Sequence, residues 1–193
     1  MITSSNVWRI APRQQGSTLL IGMLFLIILT LLGLSAALIN KTDERMARNS
    51  RDRNIAFFAA ESALRDARAD IHSSTGRIQG ATGATADCSA TGTRGLCLPA
   101  AAGDRQVWET YLTDNARSVE YGEMTLLTAA KKFRLAPARG GVTAQPRYLI
   151  EVLPDSGGSR SAKIPQKWLY RITAIGFGAN AGTSVIVQEI IRP

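Results

Sequence analysis

The strongest pattern along the chain is a long apolar run near the N-terminus. It extends from Leu19 to Ile39, 21 residues, and lies within a stretch without charge between Gln14 and Asn40. A helix needs about 20 apolar residues to cross the hydrocarbon core of a bilayer. A core helix of a soluble domain would instead carry a polar face. The run therefore predicts a segment that enters a membrane. It is interrupted only by small or hydroxyl residues: Gly22, Thr30, Gly33 and Ser35.

After Ile39 the pattern changes, but helix-forming residues continue. Residues 41–54 are polar nearly all round, and no proline occurs between Pro12 and Pro99. An apolar stripe follows at spacings of three and four, which places its members on one helix face. We predict one helix from about Ser17 to Ile71, whose last part packs on the domain that follows. The stripe comprises Phe57, Ala60, Leu64, Ala67 and Ile71.

Strand patterns appear late in the chain. Tyr148, Ile150 and Val152 alternate with polar or outward positions, and a second alternating set follows. A β-branched segment from Thr183 to Ile191 comes after a glycine-rich connection at 176–182, which is typical of a hairpin. These patterns predict an α+β fold, with a small antiparallel sheet lying on the helix stripe. The second alternating set comprises Trp168, Tyr170, Ile172 and Ala174.

The fate of the apolar run is open on the residues alone. It could be a removed signal, a permanent anchor, or an anchor later extracted into an assembly, although the run is longer than a signal core usually is. Lysine and arginine are more numerous on its C-terminal side, which by the positive-inside rule places that side in the cytoplasm. The cysteines and the Gly/Thr/Ser-rich region after residue 75 favour the opposite orientation.

Composition leaves little room for catalysis. The chain has 23 Lys and Arg against 15 Asp and Glu, a net charge of +8, one histidine and two cysteines. One histidine and two cysteines cannot fill a four-ligand structural zinc site without carboxylates. His72 falls at the predicted helix end, where a cation suits the helix dipole. We therefore expect no catalytic residues, no metal and no cofactor.

Two further features have competing interpretations. Cys88 and Cys97 lie nine residues apart in a flexible loop, so in an exported compartment we expect a disulfide rather than a reactive thiol. A basic cluster could bind nucleic acid through phosphate charge, but a solvated loop is the stronger interpretation, and nucleic acid is not expected as a partner. The cluster comprises Lys131, Lys132, Arg134 and Arg139.

Several segments resemble a known family. The sequence from Gln14 to Ile21 resembles the cleavage site of type IV prepilins, in which a peptidase cuts after a glycine and the next residue is N-methylated. The resemblance implies a leader at residues 1–16 and cleavage between Gly16 and Ser17. Residues 43–57, 59–65 and 170–178 resemble the PilX-type minor pilins more specifically. The implied organisation is a membrane or filament-core half at 17–40, a polar to amphipathic half at 41–72, and a head at 73–193.

One departure from the family pattern bears on the role. Major pilins carry a glutamate as the fifth residue after the cut, and Ile21 stands there in this chain. Ser17 also replaces the usual Phe or Met. A subunit without that carboxylate suits a rare, tip or initiating position better than the filament body.

The resemblance implies a minor pilin that helps to prime pilus assembly at or near the tip. Its implied partners are other minor pilins, the major pilin, the prepilin peptidase, the inner-membrane assembly platform and membrane lipid, with a tip adhesin as a further candidate. The implied location is a single pass in the inner membrane with a periplasmic head, and later the cell-surface pilus. The alternatives are a pseudopilin of a type II secretion system and a membrane-anchored protein that binds DNA or another anionic polymer.

Overall fold

A computed structural model describes residues 17–73, 76–135, 140–155 and 167–193. Helix α1 covers Ser17–Ile71, as predicted. The chain divides into two units between Ala47 and Arg48. The first unit contributes the described residues 17–47, all helical, and the second contains the rest of α1 and the head.

The head contains one mixed sheet and a short second helix. Its strands are β1 (Leu96–Cys97), β2 (Val119–Glu120), β3 (Arg147–Pro154), β4 (Trp168–Phe177) and β5 (Ser184–Ile191). Helix α2 covers Val107–Tyr111, and a 3₁₀ turn covers Ala129–Lys131. The strand order is β1-β3-β4-β5, and β2 also pairs with β3.

The α+β prediction is confirmed, but the sheet is not wholly antiparallel. Strands β3, β4 and β5 form an antiparallel meander, whereas β1 pairs parallel to β3 with Leu96 opposite Ile150. A two-residue strand has no alternation for a sequence pattern to reveal. Strand β1 exists because the Ile150 amide donates to the Gly95 carbonyl at 2.8 Å, a contact between residues far apart in the chain.

The main core lies between the sheet and residues 56–71 of α1. Tyr148, Ile150 and Val152 of β3 are at most 1% exposed and face the helix, as their alternation predicts. Tyr170, Ile172 and Ala174 of β4 lie in the same core. A smaller core covers the other sheet face, where Leu149 and Ile175 contact Val107 and Leu112.

The predicted packing stripe on α1 needs a correction at its first member. Ala60, Leu64, Ala67 and Ile71 are buried, but Phe57 is 42% exposed. The buried face is displaced by one position at that end and carries alanines, because strand β4 comes too close for a ring. These alanines are Ala56, Ala59, Ala60, Ala63 and Ala67.

Strand β4 comes very close to the helix at Gly176. A Cβ at this position would lie 2.1 Å from the Ala56 carbonyl oxygen and 2.3 Å from the Ala60 nitrogen. Both are backbone atoms of a helix, so no side-chain rotation can relieve the overlap. The residue must be glycine for the strand to contact the helix at this distance.

We expect Gly176→Ala to destabilise the head by about 3 kcal/mol or to prevent its folding, because overpacking against rigid backbone is costly. Gly182→Ala is the matched control, since a Cβ there meets no atom within 4 Å. Urea unfolding of the full chain in detergent micelles, followed by near-ultraviolet circular dichroism, measures both. Equal transition midpoints for the two variants would contradict the close-packing account.

Candidate functional site

The apolar half of α1 presents its side chains outward. From Leu19 to Ile39 the large apolar side chains are 43–74% exposed within the chain. By length and composition, α1 is the one helix in the described residues that could cross a membrane. An apolar surface of this extent has to be covered by lipid or by other proteins. This apolar surface of α1 is therefore the first candidate functional site.

The residues at the predicted processing site lie at the edge of the described chain. Ser17 is the first residue of α1, whereas Gly16 and the leader lie outside the described residues. Ile21 is 51% exposed on the apolar half, one turn into the helix. Its side chain adds to the apolar surface and offers no carboxylate to a neighbouring chain.

Three buried carboxylates fasten the second half of α1 to the head. Asp52, Asp66 and Asp70 are 4%, 6% and 2% exposed, and all three accept hydrogen bonds from the head. Buried carboxylates are stable only when hydrogen-bonded or paired with opposite charge. These residues therefore fix the helix to three parts of the head: the β4–β5 turn, the loop after β2, and Tyr148 with Arg77.

Asp52 holds the β4–β5 turn. It accepts hydrogen bonds from the amides of Ala179 and Asn180 and, at 3.0 Å, from the Asn180 side chain. Burial by itself would raise the pKa of Asp52, but these bonds and one from the Thr183 hydroxyl outweigh it and hold the pKa below its usual value. Gly178 permits the approach, because a Cβ there would lie 2.6 Å from the Asp52 carboxylate.

Asp70 forms the centre of a second network. Arg77 donates to both of its carboxylate oxygens, and the Tyr148 hydroxyl donates at 2.9 Å. Burial lowers the pKa of the Arg77 guanidinium, but the bond to Asp70 outweighs it and the pKa is raised. Burial and the nearby Asp70 charge raise the pKa of Tyr148, so its hydroxyl stays protonated and donates.

Asp66 behaves differently from the other two. It accepts a hydrogen bond from the Gly122 amide at 2.7 Å and another from the Thr125 hydroxyl. Burial raises the pKa of Asp66, the neighbouring Asp70 adds to this effect, and the two hydrogen bonds offset only part of it. Asp66 therefore fixes the loop after β2 without the charge neutralisation that Arg77 gives Asp70.

Two family models match the chain. The model described as type IV pilus assembly protein PilX C-term matches residues 73–193, and the model described as PilX N-terminal matches residues 15–65. The first match alone covers more than half of the sequence. The chain belongs to the PilX family. Searches of curated proteins and of solved structures found no match.

Membership of the PilX family gives the apolar half a context. The chain is a pilin subunit of a type IV pilus and assembles with other pilins. The PilX family is a family of structural pilins, and the apolar half of α1 is compatible with a single-pass membrane anchor. The resemblance inferred from the sequence motifs is confirmed.

The cysteines of this PilX-family subunit form a disulfide within the head. Cys88 and Cys97 are bonded, with their Cα atoms 4.6 Å apart, and both are fully buried. Cys97 belongs to β1, so the bridge fastens the loop before β1 to the sheet. Both residues pack with Val107 and Leu112 on the sheet face opposite α1.

Within the described ranges, the other side chains considered for binding or catalysis have structural roles. Lys132 pairs with Glu120 at 2.9 Å, which leaves less of the basic cluster available to phosphate, and Arg139 lies outside the described residues. The His72 ring nitrogen Nδ1 lies 2.9 Å from the Arg68 carbonyl oxygen, so it caps the end of α1. Among the described residues, no three His, Cys, Asp or Glu side chains are placed to hold a metal ion.

Sequence reasoning missed the three aspartates. The sequence pattern assigns them no packing role, although they share a face with the alanines at 56, 59, 60, 63 and 67. A helix stripe of small residues bounded by Asp52 and Asp70 is the signal that could have identified them. Apart from Tyr148 of β3, their partners come from loops whose positions the sequence pattern does not specify.

We expect Asp52→Asn to lower the stability of the head by about 1 kcal/mol at pH 7, because an amide cannot accept all the bonds that the carboxylate accepts. The pKa of Asp52 is lower in the folded chain than in the unfolded chain. Its contribution to the free energy of unfolding is therefore complete above the unfolded pKa of 3.8 and is lost as the pH falls through the folded pKa. The difference from wild type should therefore disappear in acid.

Urea unfolding of the full chain between pH 7 and pH 3 measures this difference. Asp104→Asn is the matched control, because Asp104 is exposed in a loop and should show no such effect. A loss of stability for Asp52→Asn that stays constant across this pH range would refute the assigned role.

Proposed function

We propose that this chain is a minor pilin that helps to prime pilus assembly and stays at or near the filament tip. The observation that carries the proposal is Ile21, at the position where major pilins have a glutamate. A carboxylate there would pair with the free amine of a neighbouring subunit inside the apolar filament core. Without it, the subunit lacks that pairing and suits the first positions of a filament better than its body.

The proposed mechanism uses the same apolar surface twice. Cleavage between Gly16 and Ser17 removes the basic leader, and lipid covers the side chains from Leu19 to Ile39 before assembly. The assembly platform then lifts the subunit, and helices of other pilins replace the lipid. Because lipid and helix faces are both apolar, the transfer is close to neutral in hydrophobic free energy, so packing and machinery decide its direction.

The proposal also specifies the orientation and the partners. The leader lies in the cytoplasm, the head lies in the periplasm and later on the cell-surface pilus, and the disulfide suits that oxidising compartment. The partners are the prepilin peptidase, the assembly platform, the major pilin, other minor pilins and a tip adhesin.

A strain that lacks this protein tests the priming role. We expect few surface pili, and recovery when the wild-type chain is supplied, measured by electron microscopy and by the amount of major pilin in sheared fractions. Normal numbers of pili in the deletion strain would rule out priming.

Complementation with Ile21→Glu tests the filament position in the same strain. Supplying the carboxylate should raise the amount of this chain relative to the major pilin in purified pili. Leu20→Glu is the matched control, since it adds the same charge one residue away. An equal ratio for the two variants would contradict the argument from Ile21.

A further inference from the structure

Strand β5 forms a long open edge of the sheet. In the described part of the chain, β5 pairs only with β4, whereas the other side of the sheet ends in the two-residue strands β1 and β2. Eight residues of β5 pair with β4 in a continuous antiparallel register, with no bulge. An edge of this length presents a row of backbone donors and acceptors to whatever lies beside it.

The register shows which backbone groups face outward. The Gly178 amide donates to the Thr183 carbonyl at 2.8 Å, so Thr183 directs its backbone groups toward β4. Antiparallel pairing alternates this direction at every residue. The odd-numbered residues from 185 to 191 therefore bond to β4, and the even-numbered ones direct their N–H and C=O outward. The outward set comprises Ser184, Ile186, Gln188 and Ile190.

The side chains of β5 add an apolar element to this edge. Ile186 and Ile190 are 43% and 59% exposed on the sheet face opposite α1. On the same face, Leu149 of β3 and Ile175 of β4 are covered by the smaller core. The cover provided by α2 and the disulfide loop ends before β5. Ile186 pairs with Ile175 at the end of this cover, and Ile190 pairs with Arg171, so both isoleucines are left exposed on this face.

Strand β5 lacks the features that usually prevent an edge strand from pairing with a further strand. Natural edge strands carry lysine, proline, a bulge or an inward-pointing charge that blocks further pairing. The sequence of β5 is SVIVQEII, and its only charged residue is Glu189. That carboxylate bonds to Arg68 of α1, on the opposite face from the isoleucines. Nothing within the strand therefore opposes the addition of another strand.

We propose that β5 binds an extended strand from another protein of the pilus, which adds one further strand to the sheet. Only an extended backbone matches an alternating row of donors and acceptors, and strand addition at an open edge is a known mode of peptide recognition. The donated strand would carry apolar side chains at alternate positions to cover Ile186 and Ile190. Its other face would carry polar side chains, beside Arg68 and Glu189.

A second copy of this chain is a poorer occupant. Antiparallel pairing of two β5 edges has its two-fold axis perpendicular to the sheet, so residues 48–71 of the two helices would run in opposite directions. Parallel pairing would turn one sheet over and place the helices on opposite faces. Neither arrangement lets two pilin helices pack side by side in one direction. The choice of a pilus protein as donor of the strand rests on the proposed function. The open edge of β5 is an observation that does not depend on it.

Site-specific photo-crosslinking in piliated cells tests the proposal. Benzoylphenylalanine at Ile186 or Ile190 of the full chain should cross-link to one other pilus protein, within a segment whose apolar residues alternate. Gln188→Pro removes an outward N–H without removing a backbone hydrogen bond to β4. It should lower the adduct yield about tenfold by loss of a hydrogen bond and by steric conflict.

Two controls separate the edge from other causes. Gln188→Ala removes only the side-chain bond to Thr173 and should leave the adduct in place. A double variant, Ile186→Lys with Ile190→Lys, provides a second test in case Gln188→Pro fails to fold. Leu126→Lys is the matched control for this double variant, because Leu126 is an 86% exposed loop residue. The lysine pair should prevent copurification of the partner found by cross-linking, and Leu126→Lys should not.

A probe at Leu24 distinguishes failure of this inference from failure of the proposed function. If Leu24 cross-links to other pilins while Ile186 and Ile190 give no adduct, the subunit assembles as proposed and strand addition is refuted. Adducts with a second copy of this chain, or adducts that persist undiminished in Gln188→Pro, also overturn the inference. Loss of adducts at Leu24 as well would count against both proposals.

Discussion

The head depends on the close contact between strand β4 and helix α1. Gly176 lies so near the helix that a single methyl group would overlap the backbone of Ala56 and Ala60. This distance requires alanine at the facing helix positions and places the antiparallel meander directly on residues 56–71. A contact between small residues buries less apolar area than one between leucines, so its position must be specified in another way. Asp52 and Asp70 do this at the two ends of the alanine face. Asp52 binds the β4–β5 turn, and Asp70 binds Tyr148 of β3 and Arg77 of the loop after α1.

The same arrangement divides α1 by function. In the second unit, one face of the helix is committed to the head, while Phe57 and Phe58 are 42% and 66% exposed on the other side. In the first unit the large apolar side chains are exposed within the chain, so lipid or the helices of neighbouring pilins can cover them. A subunit that must leave a membrane and enter a filament needs a head that stays folded throughout. Buried carboxylates and a disulfide stabilise the head without using the apolar half of the helix.

The long elements were predictable from the sequence because their signals are local. An uncharged run predicts α1, and alternation from Arg147 and from Trp168 predicts β3 and β4 with the correct inward faces. Strand β1, the parallel pairing and the three buried aspartates were not predictable, since each depends on partners far along the chain. The prediction that Phe57 lies on the buried stripe of α1 is wrong, because Phe57 is 42% exposed. A spacing of three and four residues places a ring near the buried face, but it does not show whether the facing strand leaves room for that ring. The cysteine pairing was predictable because only two cysteines are present.

Processing at Gly16 is the step on which the proposed assembly as a minor pilin depends. Intact mass and N-terminal sequence of the chain, taken from native membranes and from sheared pili, test it most directly. If the chain is processed as proposed, it begins at Ser17 in both fractions and is heavier by about 14 Da, the net gain when one methyl group replaces a hydrogen. A chain that retains Met1 and occurs only in membranes would contradict the account, because an unprocessed anchor cannot transfer its apolar helix from lipid into a filament.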